Sequence, residues 1–168
     1  FGSLGLAFLL VEVTMIQQFI LVLGQPTLAL ATVLATLLFF SGIGSTLSTR
    51  IHWAGALLVL VVLLITWPWF LDAVSNVLLD LPLALRLVLS AALIAPVGLL
   101  MGIPFARGLD AIRDVPDLIP WAWAINGGMS VVSAIVAVLL ALSFGFDWVL
   151  WVGGGCYGVA WLTRPLRA

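Results

Sequence analysis

Glu12, Gln17 and Gln18 are the polar side chains best placed to do chemistry, because they interrupt the apolar stretch LLVEVTMIQQF at residues 9–19. At 100° per residue, Glu12 shares a helix face with Phe8, whereas both glutamines lie on roughly the opposite face. An ionisable residue inside a membrane is a functional candidate by default. Glu12 is therefore a candidate anionic group that faces a cargo, or a group that only pairs with a neighbouring helix.

The composition indicates that the solvent around this stretch is lipid. Of the 168 residues, 64% are hydrophobic and 8% are charged, whereas a soluble domain carries about 25% charged residues. The net charge of −1 excludes a nucleic-acid-binding footprint. The chain starts with a phenylalanine inside an apolar run, which favours a fragment of a longer protein over a signal peptide.

Six apolar segments are long enough, or nearly so, to span a bilayer, which needs roughly 20 apolar residues. The sequence predicts a single all-α transmembrane domain with helices at about 3–23, 27–48, 53–70, 83–103, 119–143 and 147–163. The segment LDAVSNVLLDL at 71–81 is too polar to span and is predicted to be a short amphipathic piece in the membrane interface. The segment RGLDAIRDVPD at 107–117 is predicted to be a hydrophilic loop.

Charge and tryptophan positions support this topology. With six helices, one side of the membrane receives five of the six arginines: Arg50, Arg107, Arg113, Arg164 and Arg167. That bias predicts that both termini are cytoplasmic. The tryptophans fall near predicted helix ends, as an aromatic belt requires: Trp53, Trp67, Trp69, Trp121, Trp123, Trp148, Trp151 and Trp161.

Ser41 and Asn126 are predicted to lie at a depth similar to that of Glu12. Each is about seven residues from a cytoplasmic helix end, or roughly 10 Å, and Glu12 is roughly 13 Å from the start of the first helix. The three residues are therefore a candidate substrate-binding cluster. The alternative is that they only join helices, at about 0.6 kcal/mol for each polar contact.

Small and amide residues predict close helix packing. The candidates for packing contacts are Gln17, Gln18, Gly42, Gly44, Ser130, Ser133, Gly154 and Gly158.

No catalytic constellation, metal site or cofactor site is expected in this segment. The chain has one cysteine and one histidine, too few for a Cys/His metal cluster. The glycine-rich GGGCYG at 153–158 lies in an apolar segment without the lysine or strand of a nucleotide-binding loop.

Four strings in combination resemble the C-terminal membrane region of bacterial spermidine synthase-like multi-pass membrane proteins. They are GLAFLLVEVTMIQQFILVLGQPTLAL at 5–30, FFSGIGS at 39–45, MGIPFARGL at 101–109 and PWAWAINGGMSVVSAIVAVLLALSFGF at 120–146. In that family a polyamine aminopropyltransferase-like domain is joined to membrane helices. The resemblance implies that an N-terminal soluble domain belongs to the same parent protein.

The match to the family pattern is good at Glu12, Gln17, Pro26, Pro104 and Asn126. It departs where the family has a basic residue after the first glutamine, here Gln18, and a histidine before the proline, here Gln25.

Three functions follow from these observations. The first is a membrane module that anchors a soluble domain and handles a small amine or amphipathic substrate. The second is half of a secondary transporter, whose other half would be a further membrane domain of the parent. The third is a non-catalytic helical scaffold in a membrane complex. The lipid bilayer is the expected partner in all three, and the sequence leaves open whether the chain forms an oligomer.

Overall fold

The computed structural model describes residues 1–163, which form six α-helices and no β-strand. The helices are α1 (Gly2–Leu23), α2 (Pro26–Leu47), α3 (Trp53–Leu79), α4 (Leu83–Ala111), α5 (Leu118–Phe144) and α6 (Phe146–Leu162). The predicted all-α bundle is confirmed. Helices α1 to α5 are long and apolar enough to cross a membrane, which indicates an integral membrane protein, and α6 is shorter at 17 residues.

The turn between α1 and α2 shows how the sequence sets a helix boundary. Gly24 ends α1 in the left-handed conformation, with φ of 72°, and its N–H donates to the carbonyl of Ile20. Glycine adopts this conformation without a steric penalty from Cβ. Pro26 is the first residue of α2, where its missing N–H leaves no hydrogen bond unmade.

Helix α3 is longer than predicted. Residues 71–79, expected to be a separate interfacial piece, continue the helix without a break to Leu79. Leu71 and Leu78 are seven residues apart on one face and are both buried, so packing against the bundle keeps this segment helical despite its exposed polar residues.

Helix α4 also extends beyond its predicted end at residue 103 and finishes at Ala111. Its last turns carry an ion pair between Arg107 and Asp110, 3.5 Å apart. Phe1 packs edge-on against Phe105, with ring centroids 5.7 Å apart. The first residues of the predicted loop are therefore helical, and the connection to α5 is shorter than expected.

Helix α1 is the centre of the bundle, because it packs against all five other helices. Helix α5, in contrast, packs only against α1 and α6 to any substantial extent. The most extensive packing is between α2 and α4.

Two glycines allow the close approach of α2 and α4. A Cβ atom at Gly44 would overlap the backbone carbonyl of Leu99, and one at Gly102 would overlap the backbone carbonyl of Ser41. Each glycine therefore admits the backbone of the other helix, which is the packing expected of small residues in membrane helices.

Arg86 ties together one end of the bundle, opposite the end where α1 begins. Its guanidinium group donates to the carbonyl of Leu79 at 2.6 Å, of Leu81 at 2.8 Å and of Val22 at 3.3 Å. These carbonyls belong to the end of α3, the turn before α4 and the end of α1. The Arg86 side chain on α4 is thus hydrogen-bonded to the end of α1, the end of α3 and the turn before α4.

Candidate functional site

A cavity of about 460 Å³ lies between α2 and α5. Helices α1 and α4 form its walls, and one residue of α6 reaches its floor. Its lining consists of Leu4, Phe8, Leu38, Ser41, Gly42, Ser45, Met101, Gly102, Phe105, Trp123, Asn126, Ser130 and Tyr157. The cavity exists because α2 packs on α4 and α5 packs on α1, whereas α2 and α5 make no substantial contact with each other.

The walls run from an exposed rim to a buried floor. At the rim, Leu38 of α2 is 59% exposed and Trp123 of α5 is 56% exposed. On the floor, Leu4, Met101 and Tyr157 are buried. The cavity therefore opens sideways, through the surface of the bundle between α2 and α5.

Ser41 and Asn126, two members of the predicted cluster, face this cavity from opposite sides. The hydroxyl of Ser41 donates to the carbonyl of Leu38 at 3.1 Å. The side-chain amide of Asn126 makes no hydrogen bond with any described residue, so its donors and its acceptor are available to a ligand.

The position of Asn126 is fixed by its backbone. A Cβ atom at Gly5 would overlap the backbone carbonyl of Asn126, so α1 and α5 touch there. Ser130, one turn further along α5, donates to the carbonyls of Asn126 at 3.0 Å and of Gly5 at 3.2 Å. Ser133 continues this seam and donates to the carbonyl of Leu6 at 2.8 Å. These contacts hold the backbone around Asn126 in place, whereas the side-chain amide of Asn126 has no hydrogen-bond partner among the described residues.

Glu12 is not among the residues that line the cavity. It lies on the face of α1 that carries Phe8, one turn or about 6 Å beyond it. Glu12 is half-buried, and its carboxyl group makes no hydrogen bond or ion pair within residues 1–163. The structure thus brings Ser41 and Asn126 together and leaves Glu12 next to the end of the cavity.

Tyr157 is a polar cavity residue that the sequence reasoning missed, as it missed Ser45. It is 1% exposed, and its hydroxyl makes no hydrogen bond with any described residue. It lies in the string GGGCYG, which reads as an ordinary small-residue segment of a membrane helix. The one available signal was that this is the sole tyrosine of the chain, placed where leucine or valine is usual.

The residues predicted to make packing contacts are used in different ways. Gln18 accepts a hydrogen bond from the indole N–H of Trp67 at 3.0 Å, whereas Gln17 is exposed. A Cβ atom at Gly154 would lie 3.5 Å from Cβ of Leu64 on α3.

Two glycines predicted to pack, Gly42 and Gly158, face open space instead. A Cβ atom at either position would meet no atom within 4 Å. Gly42 lines the cavity, so at this position a small side chain preserves space where the prediction placed a helix contact.

The chemistry available in the cavity is hydrogen bonding next to apolar surface. None of the lining residues carries a charge. Phe105 and Trp123 meet edge to face in the wall, with ring centroids 4.7 Å apart. Within residues 1–163, no three His, Cys, Asp or Glu side chains are grouped to hold a metal ion. The site is suited to binding a molecule with a small polar head and an apolar body.

Comparison with known proteins gives no relative from which a function could be transferred: no family model, curated protein or solved structure matches the chain.

Proposed function

We propose that this chain is the membrane-embedded module of a spermidine synthase-like protein and that it binds a small amphipathic molecule in the cavity between α2 and α5. The soluble domain of the parent protein would be anchored by this module. The strings that carry the resemblance include Ser41 and Asn126, the two predicted site residues that line the cavity.

The observation that carries the binding proposal is the cavity itself. Its volume of about 460 Å³ lies within the range of about 300–1,000 Å³ that is typical of small-molecule sites. Its lining is mostly apolar with a few polar groups, which is also the usual character of such sites. A bundle that served only as a scaffold has no need for an unfilled space next to a free Asn126 amide.

We further propose that both termini face the cytoplasm of a bacterium. Arg50, Arg107 and Arg113 lie at the end of the bundle where α1 begins, and Arg86 lies at the other end. Arg164 and Arg167, which the sequence places with the first group, fall outside the described residues. An excess of arginine in cytoplasmic connections favours this orientation. The cavity would then lie in the cytoplasmic half of the membrane.

Protection of a thiol at the cavity rim tests the binding proposal. Ser45 is an exposed residue of α2 that lines the cavity, and its neighbour Thr46 is exposed but outside the lining. Ser45→Cys and Thr46→Cys, each in a Cys156→Ala background, are reconstituted in lipid nanodiscs. Their alkylation by N-ethylmaleimide is measured with and without decylamine, decanoate, decylubiquinone or spermidine.

A ligand in the cavity should slow alkylation of the Ser45→Cys variant and leave the Thr46→Cys variant unchanged. The binding proposal fails if no probe produces this difference. Gly42→Phe supplies a second check, because a Cβ atom at this lining position meets no atom within 4 Å and the ring would occupy the cavity. It should abolish the protection, whereas Gly155→Phe, which also projects into open space away from the cavity, should not.

A further inference from the structure

We infer that the ligand of this cavity is an uncharged, lipid-soluble molecule whose head group accepts a hydrogen bond from Tyr157, and that it enters sideways from the bilayer between α2 and α5. This inference rests on the proposed binding function and specifies the substrate class and the route of entry.

The Tyr157 hydroxyl is a polar group in the cavity without a hydrogen-bond partner among the described residues. Two side-chain polar atoms among residues 1–163 are fully enclosed and unpartnered, Ser90 Oγ and Arg107 Nε. The Tyr157 hydroxyl also lacks a partner within the described residues but is not among these enclosed atoms. It therefore borders open space, and the cavity is the space that Tyr157 lines. A ligand acceptor in the cavity would supply the hydrogen bond that this hydroxyl lacks, worth about 0.5–1.5 kcal/mol.

The supply of donors in the cavity sets the chemistry of the head group. The hydroxyl hydrogens of Ser41 and Ser130 are already directed to backbone carbonyls. The Tyr157 hydroxyl, the Asn126 amide, the Ser45 hydroxyl and the Trp123 indole N–H make no hydrogen bond within residues 1–163, and all four residues line the cavity. Carbonyl, ether or hydroxyl oxygens on a ligand match these donors.

The absence of charge among the lining residues favours an uncharged head group. An ammonium ion in this cavity would have no carboxylate against it, since Glu12 lies beyond the lining. A carboxylate or phosphate would have no arginine against it. Burying an unpaired ion costs far more than burying a neutral polar group whose hydrogen bonds are made.

The rim defines the route of entry. Leu38 and Trp123 are the strongly exposed apolar residues of the lining, at 59% and 56%, and they lie on the two helices that do not pack together. Each belongs to a helix long and apolar enough to cross a membrane. An opening flanked by apolar side chains on the outside of such a bundle faces the lipid tails. The flat ring surfaces of Phe105 and Trp123 then line the path inward.

Three probes with ten-carbon tails and different head groups test the inference in the Ser45→Cys assay. They are decylubiquinone, whose uncharged ring carries carbonyl and ether oxygens, decylamine as the cation and decanoate as the anion. Decylubiquinone should protect the introduced thiol at a concentration at least about tenfold lower than the other two.

Tyr157→Phe tests the assigned hydrogen bond in the same assay. Loss of one neutral hydrogen bond should raise the half-protecting concentration of decylubiquinone about threefold to tenfold. The alkylation rate without ligand reports whether the variant keeps the fold at the rim, and it should be unchanged.

The outcomes separate the two proposals. Stronger protection by decylamine or decanoate than by decylubiquinone would overturn the uncharged class and leave the binding proposal standing. Protection by decylubiquinone that is equal in the parent and in Tyr157→Phe would overturn the role of Tyr157. If no probe protects, both proposals fall.

Discussion

Helix α2 has a glycine on each of two faces, and the two glycines have opposite structural roles. On the face toward α4, Gly44 touches the backbone of Leu99, and no side chain would fit. On the face toward α5, Gly42 borders the cavity and has nothing within 4 Å of where a Cβ atom would be. The two glycines are two residues apart. The comparison teaches that a small residue in a membrane helix can close an interface or keep one open, and that only the neighbour across from it decides which.

The largest effect should come from filling the closed face. Gly44→Ala should lower the free energy of unfolding by about 1–3 kcal/mol, because the methyl group forces α2 away from α4. Gly42→Ala should instead raise it by about 0.5–1 kcal/mol, since alanine is the better helix former and meets no atom. Reversible unfolding in SDS mixed micelles measures both. Equal effects of the two substitutions would show that the faces do not differ.

The polar contact between α1 and α3 should give the next largest effect. Gln18→Leu removes the acceptor of the Trp67 indole N–H and should cost about 1 kcal/mol of unfolding free energy. The matched control is Gln17→Leu, at an exposed position without a hydrogen bond to any described residue, which should be close to neutral. The same unfolding assay measures both variants. A decrease in unfolding free energy for Gln17→Leu as large as that for Gln18→Leu would contradict a stabilising hydrogen bond between Gln18 and Trp67.

Tyr157→Phe should have little effect on stability, in contrast to Gln18→Leu. The Tyr157 hydroxyl has no partner among the described residues, so its removal should leave the free energy of unfolding unchanged or raise it by up to about 1 kcal/mol. A decrease in the free energy of unfolding by more than about 1 kcal/mol would mean that the hydroxyl makes a hydrogen bond within the bundle. Thermal unfolding of the ligand-free protein in detergent measures this.

The smallest effect should come from Glu12→Gln in the ligand assay. Because Glu12 lies one turn beyond the cavity lining, its charge should not contribute to binding of an uncharged probe. The half-protecting concentration of decylubiquinone should change less than about twofold, which corresponds to about 0.4 kcal/mol. A tenfold change would extend the functional site along α1 to Glu12.

The sequence predicted the helices because lipid imposes long apolar runs, and glycine and proline mark their ends. It also predicted that Ser41 and Asn126 share a depth, because depth follows from counting residues from a helix end at 1.5 Å each. The extension of α3 to Leu79 was missed, because burial of Leu71 and Leu78 outweighs the polar composition of that segment.

The rotation of each helix about its axis could not be predicted. Gly42 and Gly44 differ in direction by about 200°, but the sequence does not say which direction faces α4 and which faces the cavity. The same limit hid Tyr157, whose inward position depends on how α6 lies against α1 and α3. Residue types and depths are local properties, whereas the content of each interface depends on packing over the whole bundle.

The three hydrogen bonds of Arg86 have a mechanical consequence. They hold the end of α1, the end of α3 and the turn before α4 together at that end of the bundle. Helix α2 is locked to α4 by the glycine contacts. Helix α5 packs mainly against α1 and α6, with one ring contact to α4 between Trp123 and Phe105, and it is the least buried of the five long helices. Of the two helices that flank the opening, α2 is therefore the more firmly held, and a displacement of α5 would disrupt less packing.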